Sequence, residues 1–243
     1  MNASFHMGSY DEKVFGFPVA RCELRNIEQV IAAIRYAQTH AAKLIVVRCP
    51  STETATIHHL ENEGFRLMDT LIRFVGSCRL CIQRGGKSGI RVFPLRETDS
   101  TVVGQIARKS FHAYPSHLHS DPRLDRSRCD DYYERWSLHC CAEREHKREV
   151  FVAQVDGQIV GFGVTRLVSP NVLQGVLAGV MPNTNGFYTL RSLLIRSLKH
   201  ALELGAGQFE ISTVLNNLGM QRLCTRVGFE HRNTLHTFHR WLE

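Results

Sequence analysis

The chain has 243 residues and a mass of 27.7 kDa, which allows one large domain or two small ones at roughly 100–200 residues per domain. Hydrophobic residues make up 43% and charged residues 22%, which excludes a disordered chain, a collagen-like repeat and a coiled coil. No run approaches the roughly 18 apolar residues of a bilayer-spanning helix. The polar stretch from Met1 to Lys13 lacks the apolar centre of a signal peptide. We therefore expect a cytoplasmic protein.

The net charge is +7, from 30 Lys and Arg against 23 Asp and Glu. A basic chain attracts anions, but the sign alone does not distinguish nucleic acid, membrane surfaces and phosphorylated small molecules. Nucleic-acid binding usually shows as basic residues clustered on one element, whereas arginine here is spread from Arg21 to Arg240. We expect neither a nucleic-acid partner nor a membrane partner.

The eight cysteines do not form a recognisable metal or disulfide framework. Cys78 and Cys81 make an isolated C-x-x-C with no second pair at zinc-ribbon spacing. A structural zinc site needs four well-spaced ligands. We expect no metal, and we expect these thiols to be buried small hydrophobes.

The first half alternates strand and helix signals. The predicted elements are a strand over 15–24, a helix opened by Asn26 and Gln29, a strand over 44–47, a helix over 52–63 ending at Gly64, and a strand over 65–75. Asn26 and Gln29 resemble a capping box. The glycine-rich run over 84–89 has the composition of a flexible linker. We place a domain boundary there, between an N-terminal α/β half-domain over 1–85 and a domain over 91–243.

The second half begins with two helices and continues with a hairpin. The predicted elements are helices over 98–111 and 129–141, strands over 151–155 and 159–164, a strand over 175–180, a helix over 187–204, a strand over 209–214, a helix over 218–227 and a strand over 229–241. Asp156-Gly157 is a strong two-residue turn signal. A hairpin that feeds a strand–helix–strand unit predicts an α/β (α+β) fold with a mixed central sheet flanked by helices.

Four segments resemble the GCN5-related N-acetyltransferase (GNAT) family. They are the hairpin over 152–161, the stretch from Gly179 into the long helix, the run from Asn217 to Phe229, and the closing His239-Arg240-Trp241. The third is the most specific, since it is similar to the family's Asn, Ala, Leu-Tyr and Gly-Phe series at fixed spacing. The resemblance covers residues 91–243. It implies the GNAT fold, acetyl-CoA as cofactor, and a small-molecule amine as acceptor.

A narrower likeness concerns the dTDP-fucosamine acetyltransferase branch, which acetylates amino groups on nucleotide-linked sugars. Its loop is similar to His117–Arg123, and its N-terminal half-domain is similar to Phe15–Pro18 and Leu60–Phe65. The likeness implies a GNAT-like N-terminal half-domain and an acceptor of this class. In the loop and the helix that follows it, the candidate substrate-binding residues are His119, Asp121, Arg123, Tyr133 and Trp136. A solvated loop with its aromatics in the core explains the same residues about as well.

The cofactor residues implied by the resemblance lie on both sides of the long helix's start. They are Leu177, Ala178, Gly179, Val180, Asn183, Asn185, Gly186, Phe187, Tyr188, Thr189, Asn216 and Asn217. Amides at a helix N-terminus suit a pyrophosphate. If Gly186 is the family's first loop glycine, Tyr188 replaces its small residue; counted without a gap from Pro182, both glycines are lost. We prefer the first register. Asn217 is also a good N-cap for the helix that follows it.

The candidate proton donor to the departing thiolate is Cys224, at the position where the family commonly has tyrosine. A thiol with an ordinary pKa of about 8.5 can donate a proton, but a buried structural cysteine is the competing interpretation. Tyr188 is the second candidate. The sequence names no general base and leaves a homodimer open. The alternatives are a GNAT enzyme for another small amine, and an inactive binding module.

Overall fold

The structure, a computed structural model, describes residues 5–85, 89–112, 114–142, 148–182 and 184–242, with only the backbone at Glu97. The first half contains β1 (Phe5–Met7), α1 (Ser9–Phe15), β2 (Val19–Glu23), α2 (Ile27–Thr39), β3 (Leu44–Pro50), α3 (Thr54–Asn62), β4 (Arg66–Ser77) and α4 (Cys78–Gly85). The second half contains β5 (Arg91–Pro94), a 3-10 turn (Glu97–Asp99), α5 (Ser100–Ser110), α6 (His117–Ser120), α7 (Arg126–Ala142), β6 (Glu149–Val155), β7 (Gln158–Ser169), β8 (Val172–Val180), α8 (Gly186–Glu203), β9 (Gln208–Val214), α9 (Leu218–Val227) and β10 (Glu230–Trp241).

The ten described strands form one mixed sheet in the order β1-β2-β3-β10-β4-β9-β8-β7-β6-β5. The pairs β2–β3 and β8–β9 are parallel, and every other described pair is antiparallel. The last strand, β10, lies between β3 and β4 of the first half. The sheet therefore runs without a break through both predicted domains, and their division near residue 85 stays a prediction.

Local chemistry explains several boundaries that the sequence predicts. Asp156 and Gly157 both have positive φ, 50° and 79°, as a two-residue hairpin turn requires. Asn26 accepts from the Gln29 amide at 3.0 Å, and the Gln29 side chain reaches back to the amide of Arg25 at 2.7 Å. Gly228 ends α9 at φ 96°. These short-range predictions are confirmed.

The predicted strand over 15–24 is wrong at its start. Phe15 is the last residue of α1, and Gly16 ends that helix in the left-handed conformation at φ 79°. The strand begins at Val19. Tertiary packing explains why this segment is helical, since Val14 and Phe15 are buried beneath α7 in one cluster with Leu118. Short apolar runs do not distinguish a buried helix from a strand.

Helices cover both faces of the sheet. On one face, α2 and α3 pack on β2, β3 and β10, while α4, α8 and α9 pack on β4 and β9. On the other face, α5 and α7 cover β6 to β8, and α1 and α6 cover β2 and β3. Phe238 of β10 is 1% exposed and lies in the first half's core beside Leu60. Within the described part of the chain, no helix is long and apolar enough to cross a bilayer.

The shared sheet predicts that the two halves unfold together. Leu60→Ala in α3 and Leu198→Ala in α8 each remove a fully buried side chain, so each should cost about 2–5 kcal/mol. Both should shift one common transition in urea, followed by far-UV circular dichroism and tryptophan fluorescence. Leu80→Ala, at a residue that is 54% exposed, is the matched control and should change stability by less than about 0.5 kcal/mol. A separate early transition in Leu60→Ala alone would contradict the prediction.

Candidate functional site

The parallel strands β8 and β9 pair only at their beginnings. Val172–Gly175 pairs with Gln208–Ile211, and beyond these residues no described strand lies between the two. β8 continues along β7, while β9 continues along β4. The pairing with β7 shifts between Gly175 and Leu177, which leaves Val176 as a bulge. A bulge bends its strand, so β8 diverges from β9 and both strands present unpaired backbone groups to the gap.

A narrow cavity of about 90 Å³ lies at this divergence, under α8 and α9. Its lining is mostly apolar and includes Leu177, Ala178, Leu190, Leu194, Met220 and Leu223. The cavity is far smaller than the roughly 300–1,000 Å³ that holds a whole small ligand. Its size admits only a thin segment of a larger ligand.

The N-terminus of α8 lies beside the open end of the gap. The first amides of a helix have no intrahelical acceptor. In α8 the side chain of Asn185 does not cap them, while the Gly186 amide donates to the Thr184 carbonyl at 2.7 Å. The end of an 18-residue helix carries a positive partial charge. A second cavity, of about 560 Å³, is lined here by Thr184, Asn185, Tyr188, Thr189 and Arg191, together with Gly89, Ile90, Val155 and Val160. An anion can therefore be accommodated at this helix end.

The predicted cofactor residues around α8 fall into different surroundings. Asn183 lies outside the described residues. Gly186 is the first residue of α8, and Tyr188 is 52% exposed beside the larger cavity. Phe187 packs on the core with the guanidinium of Arg226 above its ring at 5.2 Å.

Other members of the predicted set are already engaged within the protein. The hydroxyl of Thr189 donates to the Asn185 carbonyl at 3.0 Å, and Ser110 donates to the Val180 carbonyl at 2.6 Å. A Cβ at Gly179 would approach the Phe162 ring to 2.8 Å, so that position has no room for a side chain. Asn216 is exposed just beyond β9. Asn217 accepts from the Met220 amide at 3.1 Å, which confirms its capping role.

Cys224 and Tyr188, the two candidate proton donors, have different environments. Cys224 is fully buried in the apolar cluster of α4, α8 and α9. Burial, with a smaller contribution from the neighbouring Cys81 thiol, raises the pKa of Cys224 to about 12. Its neighbour Leu223 lines the narrow cavity. The roles of Cys224 and Tyr188 in proton transfer stay predictions.

Most of the residues predicted to bind the acceptor substrate have side chains that are buried or half-buried. The side chain of His119 is 3% exposed and contacts Asp130 at 3.1 Å. Tyr133 stacks on Phe111 at 4.4 Å between ring centroids. Trp136 is half-buried against the same cluster. Arg123 is exposed, with its guanidinium 5.5 Å from the ring centroid of Trp241.

Tyr114 is a site residue that the sequence analysis missed. It packs on Leu71, Val214 and Leu235, and it also joins the α5–α7 cluster that contains Val176 and Leu177. Tyr114 therefore connects the cluster that contains Val214 of β9 with the cluster that contains Leu177 of β8. Tyr114 sits in an irregular stretch, where neither helical nor strand periodicity marks it.

No protein-family model matches this sequence, and no curated protein matches it. Solved structures do match in fold. A functionally unknown conserved protein from Staphylococcus epidermidis ATCC 12228 has a TM-score of 0.67 at 10% identity, over 96% of this chain and 89% of that one. A tandem GNAT protein from the clavulanic acid biosynthesis pathway has a TM-score of 0.61 at 13% identity, over 93% and 76%. A GCN5-related N-acetyltransferase from Sphaerobacter thermophilus has a TM-score of 0.61 at 14% identity, over 98% and 76%.

The chain therefore has the fold of the GCN5-related N-acetyltransferases. The divergent pair β8–β9 and the following helix α8 occupy the part of the sequence that resembles the family's cofactor motif. At these low identities the likeness shows the fold alone.

The buried thiols give a test of the site's interior. Burial raises the pKa of Cys22, Cys129 and Cys224 to about 12, so these thiols should not form thiolate near pH 8. Cys141 is the one cysteine that is half-buried rather than buried. Native protein treated with a disulfide reagent at pH 8 should therefore release about one equivalent quickly, and Cys141→Ser should abolish that phase. Rapid labelling of Cys224 would contradict the buried environment, and its suppression by acetyl-CoA would place the thiol in the cofactor cleft.

Proposed function

We propose that the protein is an acetyl-CoA-dependent N-acetyltransferase that acts on the primary amine of a small molecule. The observation that carries this proposal is the divergence of β8 and β9 next to the uncapped N-terminus of α8. The gap between the strands suits the pantetheine arm, whose amides can pair with the free edge of β8 at Leu177 and Ala178. The first amides of α8 suit the pyrophosphate.

A contrast inside the chain supports this assignment. The first half has the same strand–helix–strand order, but β2 pairs with β3 along its whole length, from Val19 to Glu23. Asn26 caps the N-terminus of helix α2, because its side chain accepts a hydrogen bond from an amide of the first turn. At the N-terminus of α8, the side chain of Asn185 makes no such capping hydrogen bond. Cofactor binding is therefore proposed for the second half only.

The bound donor supplies an activated acetyl thioester, and the protein's part is to position it. The bulge at Val176 interrupts the pairing of β8 where β8 leaves β9, and we propose that a backbone N–H there stabilises the oxyanion that forms when the amine attacks. The amine must lose one proton, and the departing thiolate must gain one. Tyr188 and Cys224 remain the proposed donors to the thiolate.

The narrower proposal for the acceptor is a nucleotide-linked amino sugar. The net charge of +7 favours an anionic acceptor. The exposed Arg123 guanidinium beside Trp241 offers a cationic and aromatic surface, and Arg is well shaped to bind phosphate. Release of CoA should be measured with a dTDP-linked amino sugar against an aminoglycoside, a polyamine and a peptide amine. Turnover with only the last three would reject the amino-sugar acceptor and keep the acetyltransferase.

The helix end gives a sharp test of cofactor binding. Asn185→Asp places a carboxylate at the start of α8, where it should repel the pyrophosphate and weaken acetyl-CoA binding by at least about tenfold. The same carboxylate interacts favourably with the helix dipole, by about 0.3–1 kcal/mol, so Tm should hold or rise while affinity falls.

The matched control is Asn26→Asp, the same change at the capping residue of α2. It should leave the acetyl-CoA Kd unchanged. The acetyl-CoA Kd of each variant is measured by isothermal titration calorimetry at low salt, where charge effects are least screened. Equal weakening by the two variants, or no binding by the wild type at millimolar acetyl-CoA, would refute the proposed site.

A further inference from the structure

Three side chains from distant parts of the sequence form a buried hydrogen-bonded chain. Asp121 Oδ2 lies 2.7 Å from His239 Nδ1, and His239 Nε2 lies 2.8 Å from His117 Nδ1. The side chains of His239 and Asp121 are 0% and 2% exposed. His117 is 8% exposed and sits at the start of α6. The chain runs from a fully enclosed carboxylate to a histidine at the edge of the interior.

The protonation of this chain follows from the state of Asp121. Burial alone would raise the pKa of Asp121, but donation from His239, the Arg123 amide and the Trp241 indole outweighs burial and lowers it. An ionised carboxylate only accepts, so His239 Nδ1 carries a proton. In neutral His239, Nε2 is then an acceptor, which His117 Nδ1–H must satisfy. The lone pair of His117 is therefore at Nε2.

That lone pair accepts no hydrogen bond within the described structure. His117 Nε2 makes no hydrogen bond to any described residue. The His117 amide donates to Asp69 Oδ2 at 2.8 Å, and the next residue of β4, Thr70, accepts from the Leu215 amide just beyond β9. The His117 amide is thereby linked, through neighbouring residues of β4, to the backbone just beyond β9. Tyr114, three residues before His117, packs against clusters to which both β8 and β9 contribute.

Three polar atoms on the strands beside His117 also lack a partner. They are Asp69 Oδ1, Thr237 Oγ1 and Arg48 Nε, which belong to residues paired across β4, β10 and β3. Buried polar atoms without a partner are costly. Because this set contains a carboxylate oxygen, a hydroxyl and a guanidinium N–H, these atoms point to a polar ligand that both donates and accepts hydrogen bonds.

We propose that His117 is the general base that takes a proton from the acceptor amine, and that His239 and Asp121 are positioning residues behind it. The inference rests on the proposed acetyl transfer. The amine's proton binds His117 Nε2 as its N–H bond breaks. The Nδ1 proton of His117 passes to His239 Nε2, which brings the positive charge against Asp121. After product leaves, the proton returns by the same route to solvent.

The surroundings define the pH dependence. Burial first, then the charges of His239, Arg21 on β2, Arg48 on β3 and His119 on α6, hold the pKa of His117 well below its ordinary value. Burial also lowers the pKa of His239, against the raising effect of Asp121 and Asp69. The base is active when neutral. Since its pKa is lowered, kcat/KM should stay flat at neutral pH and fall only as the pH drops below about 6.5.

The decisive variant is His117→Ala, assayed with the best amine found for the wild type. We expect kcat to fall about 10²–10⁴-fold with the acetyl-CoA Kd unchanged, and exogenous imidazole to restore part of the rate. His117→Gln keeps a donor to His239 and should lose the same rate with the fold intact. The control is His231→Gln, an exposed histidine of β10, which should keep full activity. Retention of kcat by His117→Gln, or failure of imidazole to rescue His117→Ala in folded protein, overturns the inference.

The positioning residues have their own readout. Proton NMR of the wild type should show an imidazole N–H resonance far downfield, from the bond between His239 and Asp121, and Asp121→Asn should abolish it. Asp121→Asn should also lower kcat and move the acidic limb of the pH profile to lower pH, since the positive charge loses its counter-ion. Absence of the resonance in the wild type overturns the proposed relay without touching acetyl-CoA binding. If the wild type fails to bind acetyl-CoA, that result overturns the proposed function itself, and it is distinguishable from a loss of the relay alone.

Discussion

The position of β10 is the constraint on which the rest of the structure depends. Its seven-residue ladder with β3 and its longer ladder with β4 place the end of the chain inside the first half. One face of β10 carries Phe238 into the first half's core, while the other presents His239 and Trp241 to Asp121. Because β4 also pairs with β9, the same ladder determines the edge along which β9 leaves β8.

The two halves share an element order but use it differently. Each has a parallel strand pair joined by a helix, followed by a second helix and an antiparallel strand. In the first half, all five residues of β2 pair with β3. In the second, a strand of nine residues pairs over only four. The bulge at Val176 accounts for part of this difference, since the inserted residue bends β8 at the point where the pairing with β9 ends.

The features that the sequence predicted are those encoded within a few residues. The Asp156-Gly157 turn, the caps at Asn26 and Asn217, and the glycine stop at Gly228 each depend on local backbone chemistry. The long apolar periodicity of α8 was equally readable, and the mixed sheet followed from the order of elements. These signals were sufficient to identify the fold class and to place the long helix α8 after β8.

The features that the sequence did not predict depend on contacts between distant segments. His117 and His239 are 122 residues apart, and neither belongs to a pattern that marks a proton relay. The insertion of β10 between β3 and β4 leaves no trace in the hydrophobic period of any of the three strands. The start of β2 was misplaced for the same reason, because the packing of Phe15 against α7 decides its helical state. The burial of the Asp121 carboxylate is another such feature, since the sequence around it predicts only an irregular, polar loop.

Stability alone does not explain the buried chain of Asp121, His239 and His117, because enclosed charges rarely stabilise a fold. Removing a carboxylate from water costs several kcal/mol, and well-packed apolar residues of similar volume usually do as well or better. Here three donors offset that cost at Asp121, yet the chain ends at a nitrogen with no partner among the described residues. A network built only for stability would terminate on a satisfied group. A network that ends on a free lone pair has the form expected of a group that accepts a proton from a ligand.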